Sequence, residues 1–196
     1  MTRFRPLVVC AAIAAMPLMA QTEAWKLDPN HSAAQFSVRH LGISTVRGAF
    51  TKVSGAVQYD PSDVTKSVVD VTIDATSVDT RVEMRDNDLR SDHFLDVAKY
   101  PTITFVSRRT EEAGPGKLKI IGDLTIHGVK KEVALDVEGP SKPIKDPRGA
   151  MHMGASASTV INRTDFGVNG APGAVGNDIT LTLDVEMVKP AADIGK

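Results

Sequence analysis

Apolar and polar residues alternate along most of this chain, and that period of two constrains the fold more than any other feature. Ala34, Phe36 and Val38 alternate with Gln35, Ser37 and Arg39. Val53, Gly55, Val57 and Tyr59 keep the rhythm, as do Val69, Val71 and Ile73. Ile103 and Phe105 follow Pro101. Longer runs come at Leu118–Ile126, Val129–Val137, Met151–Ile161 and Ile179–Met187. Successive side chains of a strand point to opposite faces, so each run predicts a half-buried strand with one apolar face. Asp60-Pro61-Ser62-Asp63 predicts a turn, and His127-Gly128 a two-residue hairpin turn with glycine supplying a positive φ. Longer loops are expected over Pro140–Gly149 and over the glycine-rich stretch Gly167–Asn177.

One segment breaks the alternation. Arg81–Arg90 (RVEMRDNDLR) predicts a short helix. Thr80-x-x-Glu83 fits a capping box, and Asp86 and Arg90 form an i,i+4 pair in the favourable order. Taking Thr45–Tyr59 as one strand kinked near Gly48 and Gly55, the runs make about eight strands. A single short helix cannot cover so much apolar face, so the sheet has to cover itself, as a barrel or a sandwich. Eight strands enclose a space that side chains fill or that holds one small ligand, and closure removes exposed edges. The expected fold is all-β: an eight-stranded antiparallel barrel with one short helix.

The ends modify this reading. Arg3 and Arg5 precede an uncharged stretch, Leu7–Ala20, with small residues after it. That pattern predicts a cleaved secretory signal over residues 1–20, with the cut after Ala20 rather than Ala24. It is too short to favour a membrane anchor, which needs about 20 apolar residues. The barrel domain is then 21–196, with 21 basic and 24 acidic residues and a net charge of −3. Such a balance offers no electrostatic reason to expect nucleic acid or anionic membrane. The only cysteine, Cys10, falls in the leader.

Function turns on whether the barrel is full. Ala34, Gly55, Gly122, Ala155 and Ala157 are small residues on apolar faces, beside Phe36, Phe50, Phe105 and Leu124. Small side chains leave room, and they also relieve crowding where strands bend. If the interior is hollow and apolar, a lipid is the ligand such walls suit. Twenty buried carbons would contribute ~16 kcal/mol gross, against an association cost of about 4–15 kcal/mol. Strand parity points Phe36, Val38, Phe50, Val71, Ile73, Phe105, Leu124, Ile126, Leu135 and Leu183 inward. Polar groups able to orient a head group are His40, Asp86, Arg90, Arg163 and Asp165, with the glycine-rich loop as a movable flap. Arg163 and Asp165 equally suit a structural clasp at the barrel's end. The five histidines show no metal-ligand spacing, so no metal and no cofactor are expected. Gly114-Pro115-Gly116-Lys117 lacks the spacing of a P-loop.

The segments Trp25–Ser32 (WKLDPNHS), Phe36–Gly42 (FSVRHLG), Val46–Phe50 (VRGAF), Leu89–Asp96 (LRSDHFLD), Tyr100–Phe105 (YPTITF), Gly122–Val129 (GDLTIHGV) and Ile161–Gly167 (INRTDFG) carry a family resemblance through their order and spacing. The chain resembles the YceI-like, lipocalin-like secreted bacterial proteins, also called polyisoprenoid-binding proteins, from Trp25 to about Lys189. The resemblance implies an eight-stranded antiparallel barrel, a deep apolar cavity, a bound polyisoprenoid or fatty-acyl chain and a periplasmic location. Family members fused to membrane b-type cytochromes point to quinone traffic and to such a cytochrome as a protein partner. A homodimer is the other assembly to test. The expected role is a lipid carrier. The alternatives are an enzyme acting on an isoprenoid lipid, with His40, Asp86 or Asp165 as acid or base, and a stress-protective envelope protein with a filled barrel.

Overall fold

The computed structural model describes residues 22–189, so the expected leader lies outside the described residues. The alternating runs form β1 (Glu23–Leu27), β2 (Ala33–His40), β3 (Ser44–Phe50), β4 (Val53–Tyr59), β5 (Val68–Asp74), β6 (Val78–Asp79), β7 (Thr102–Glu112), β8 (Lys117–Ile126), β9 (Val129–Glu138), β10 (Ile144–Lys145), β11 (Met151–Asn162) and β12 (Val175–Lys189). Several are halves of one broken rib. β1 and β2 are separated by Asp28–Ser32, β3 and β4 by Thr51–Lys52, and β5 and β6 by a 3-10 turn at Ala75–Ser77. Each rib pairs antiparallel with the next: β1/β2, β3/β4, β5/β6, β7, β8, β9, β11, β12.

The last strand closes the ring. One edge of β12 runs along β11 from Lys189↔Met151 to Asp178↔Asn162. Its other edge takes β2, from Val175↔His40 to Asp184↔Ala33, and then β1 at Met187↔Leu27. The result is an eight-ribbed antiparallel barrel. β10 adds two residues to β11 beyond the three that β9 contacts.

Three local expectations are corrected. The rib over residues 45–59 breaks at Thr51–Lys52, where both backbone N–H groups leave the ladder for Ser77. Gly48 and Gly55 sit inside regular strands instead. A Cβ at Gly48 would come within 2.5 Å of the Phe36 ring, and one at Gly55 within 2.5 Å of the Asp70 carbonyl. These glycines allow close approach rather than a kink. Second, helix α1 spans Glu83–Arg90 and starts from Val82 without a side-chain cap, so the Thr80/Glu83 capping box does not form. Asp86 does the reaching back: buried, it accepts the Thr80 N–H at 2.8 Å and the Thr80 hydroxyl. Third, Arg90 does not pair with Asp86. Its guanidinium donates to the carbonyls of Thr76 (2.8 Å) and Val78 (2.6 Å), tying the helix to the end of the β5/β6 rib.

The His127-Gly128 turn forms as expected, with both residues at positive φ, the two-residue geometry that matches strand twist. Among the described residues, no helix is long and apolar enough to cross a membrane.

Candidate functional site

The barrel interior divides into two apolar chambers of about 160 and 110 Å³. The larger lies toward one end, between Leu27, Tyr59, Val64, Leu118, Pro140, Met153 and Met187. The smaller lies toward the end covered by α1, between Phe36, Val38, Leu89, Phe94, Phe166 and Val175. Phe50, Ile103, Ile126 and Leu181 line both, forming the neck between them. Ala34, Ala155 and Ala157 line the larger chamber, so these small side chains do leave room. Gly122 does not. A Cβ there would meet the Val106 carbonyl at 2.5 Å and the Phe105 ring at 2.7 Å, beside an irregularity of β7 at Ser107–Arg109.

Of the residues expected to face inward, Val71, Ile73, Phe105, Leu124, Leu135 and Leu183 line the larger chamber, Phe36 and Val38 the smaller, and Phe50 and Ile126 both. The polar candidates fall differently. His40 lies beyond the chambers, where its carbonyl accepts the Ile43 N–H in the β2–β3 turn. Asp86 and Arg90 line neither chamber, their polar atoms being engaged with Thr80, Thr76 and Val78. Asp165 is exposed on a 3-10 turn, Arg163–Phe166. No chamber brings His40, Asp86 and Asp165 together.

Arg163 borders the smaller chamber and is 5% exposed. Its guanidinium donates to the carbonyls of Val168, Gly170, Val175 and Gly176 at 2.8–3.0 Å. Burial lowers its pKa from the usual value, yet arginine stays charged at neutral pH. All four acceptors belong to the glycine-rich loop and the start of β12. Gly170 also packs against His93 and Phe94, where a Cβ would come within 2.4 Å of the His93 carbonyl. The expected movable flap is therefore clamped, and Arg163 is its clasp.

The polar groups lining the larger chamber are Gln35, Tyr59, Ser67, Thr104 and Thr110. Three of them, Tyr59, Ser67 and Thr110, cluster at the end away from α1, where the Thr110 hydroxyl donates to the Ser67 carbonyl at 3.4 Å. The Ser67 hydroxyl accepts the N–H of buried Asp60 at 3.1 Å. The reading from sequence missed this trio. Tyr59 carried a signal, since it shares the parity of Val53 and Val57. Ser67 and Thr110 carried none.

The YceI-like domain model matches residues 25–187. The chain belongs to the YceI-like family. Relatives of this YceI-like barrel include a UPF0312 protein of Vibrio cholerae, 35% identical over 160 residues, which are 81% of this chain and 84% of that one. Among solved structures, a Campylobacter jejuni YceI protein is 35% identical, covers 78% of this chain and 90% of its own, and superposes with a TM-score of 0.70. A polyisoprenoid binding domain from Saccharophagus degradans, implicated in plant cell wall breakdown, shares the fold at a TM-score of 0.63 and 16% identity, over 85% of this chain and 98% of its own.

Proposed function

We propose that this YceI-like protein is a non-catalytic periplasmic carrier that holds one long apolar lipid, of polyisoprenoid, isoprenoid-quinone or fatty-acyl type, along the barrel axis. The observation that carries the reading is the pair of apolar chambers joined at a neck inside a closed barrel. Family membership and the polyisoprenoid-binding description of the Saccharophagus domain support it.

Size sharpens the proposal. A chamber of about 160 Å³ is comparable to cavities that take a single benzene ring. A chain of some twenty carbons, the length at which ~0.8 kcal/mol per methylene exceeds the cost of association, therefore has to pass the neck and move side chains aside. The head group rests by Tyr59, Ser67 and Thr110, because an apolar tube confers affinity but only polar groups choose which end enters first. With export through the leader, a cut after Ala20 leaves β1 whole. A cut after Ala24 would remove two residues of β1, with the Glu23↔Tyr59 pairing and the 3.0 Å ion pair from Lys189 to Glu23.

The test is mass spectrometry of an organic extract of protein purified from the periplasm. One long-chain lipid per protein is expected. Protein recovered lipid-free that also fails to take up added long-chain lipid would sink the carrier reading in favour of a filled barrel.

A further inference from the structure

The outer wall of the barrel carries a side-chain cluster that lipid binding does not use. Asp28 and His31 come from the break between β1 and β2, and Glu186 from β12. One potential ligand atom from each lies within 4.8 Å of the other two. His31 Nδ1 is 2.8 Å from Asp28 Oδ2. Glu186 Oε1 is 2.7 Å from Nδ1 of His152 on β11, and His152 Nε2 is 3.4 Å from Asp146 Oδ2. The residue opposite Glu186 on β11 is Gly154, which has no side chain to stop Glu186 leaning diagonally to His152. The backbone underneath is anchored: Asp28 N–H donates to the Glu186 carbonyl at 2.8 Å, and Glu186 N–H donates to the Ser32 hydroxyl at 3.1 Å.

We propose that Asp28, His31 and Glu186 bind a zinc ion on the barrel's outer wall, across the seam where β12 meets the first rib, with His152 as a positioning residue for Glu186. One imidazole nitrogen and two carboxylates are donors zinc accepts, and three protein ligands leave a fourth tetrahedral position for water, as in open zinc sites. Calcium and magnesium prefer all-oxygen shells with more ligands. Bonds of about 2.0–2.1 Å put tetrahedral ligand atoms about 3.4 Å apart, so the His31–Asp28 contact must widen by about half an ångström. The His31 side chain is 64% exposed and free to make that adjustment. The Glu186–His152–Asp146 chain is the kind of hydrogen-bonded second layer that orients a ligating carboxylate. The spacing of histidines along the sequence does not reveal this site, because barrel closure brings Glu186 to a loop at the other end of the chain. Leu27 and Met187, the immediate neighbours of Asp28 and Glu186, line the lipid chamber on the inner face of the same seam.

Isothermal titration calorimetry of the untagged protein tests the proposal, with zinc chloride as the probe and magnesium chloride as the control. Expected are one zinc per chain and no magnesium binding. His31→Ala and Glu186→Gln should each abolish zinc binding, and His152→Ala should weaken it by about 10–100-fold. Circular dichroism checks that the variants fold. Anomalous scattering at the zinc edge, from wild-type crystals, needs no variant and should place the ion on all three side chains. No zinc heat in the wild type overturns the proposal. So does zinc that persists in both His31→Ala and Glu186→Gln, or an anomalous peak elsewhere.

Discussion

The two ends of the barrel are held by different chemistry. At the α1 end, three charged side chains are spent on backbone or on a hydroxyl. Arg163 holds four carbonyls of the glycine-rich loop, Arg90 holds two carbonyls of the β5/β6 rib, and buried Asp86 holds Thr80. A buried acceptor left without its donor costs about 1–3 kcal/mol, so this end resists opening. At the other end the framing residues are apolar or hydroxylic, and the nearby ion pairs lie outside, on the barrel wall. His152 bridges Glu186 and Asp146, and His31 pairs with Asp28. Their side chains are partly exposed, as are those of the His93–Asp88 pair at the α1 end. One end is thus braced by hydrogen bonds of Arg163, Arg90 and Asp86, and the other is framed by apolar and hydroxylic side chains.

The largest expected effect breaks the braced end. Arg163→Ala strands up to four carbonyls and should cost about 3–5 kcal/mol, a fall of roughly 10 °C in Tm. Selectivity among lipids of equal length should stay the same. A thermal melt and a lipid competition on the same variant check this; a shift in head-group preference without loss of stability would return Arg163 to the ligand.

Next in size is a change inside the larger chamber. Ala157→Leu adds three carbons where Ala157 lines the cavity. It should displace about three methylenes of ligand and weaken lipid binding by about 2 kcal/mol, roughly thirtyfold. Thermal stability without lipid should hold or rise, because filling a cavity is commonly stabilising. Lipid content by mass spectrometry and a melt of delipidated protein measure the two quantities separately.

Tyr59→Phe probes the end proposed for the head group. Losing one hydroxyl contact should cost about 1 kcal/mol for a lipid with a polar head and nothing for its head-less analogue. Equal losses for both would move the head group away from Tyr59.

The smallest effect is a pH dependence carried by His152 and His31. Hydrogen bonds to Glu186 and to Asp28 raise the pKa values of His152 and His31 above the usual 6.5. A raised histidine pKa stabilises the fold fully below the unfolded value and loses that contribution as pH climbs through the folded value. The urea midpoint should therefore fall slightly as pH rises above the ordinary histidine value of 6.5, and His152→Ala should flatten the slope. Hydrogen bonds lower the pKa of Asp28; at Asp146 desolvation is the largest single influence and raises it, but the hydrogen bonds from Ala150, His152 and Arg148 together outweigh it and lower the pKa. Their contributions are present above the usual carboxylate range and lost only in acid. An unchanged slope in His152→Ala would remove this residue from the account.

Much of the architecture is legible in the residues themselves. The period-two runs at residues 34–38, 53–59, 69–73, 118–126, 129–137, 151–161 and 179–187 each became a strand, because alternation is a local consequence of side chains pointing to opposite faces. The His127-Gly128 turn was legible for the same local reason. β1 was not, being five residues long with Lys26 and Glu23 among them, although it helps to close the ring. Strand parity also placed the lining residues on the inner face, since a barrel turns every apolar face the same way.

What the sequence left open were partners far apart along the chain. Arg163 and Asp165 read equally well as ligand contacts or clasps, because nothing local says which partners will lie within reach. Alanine and glycine at inward positions look alike in the sequence. Ala157 leaves space, whereas Gly122 is filled by the neighbouring rib's backbone. Sequence alone determined an alternating, self-covering sheet with one short helix. Only the closed barrel decided which end is braced, where the chambers narrow and which distant carboxylate meets His31, because those depend on register between ribs that local preference does not encode.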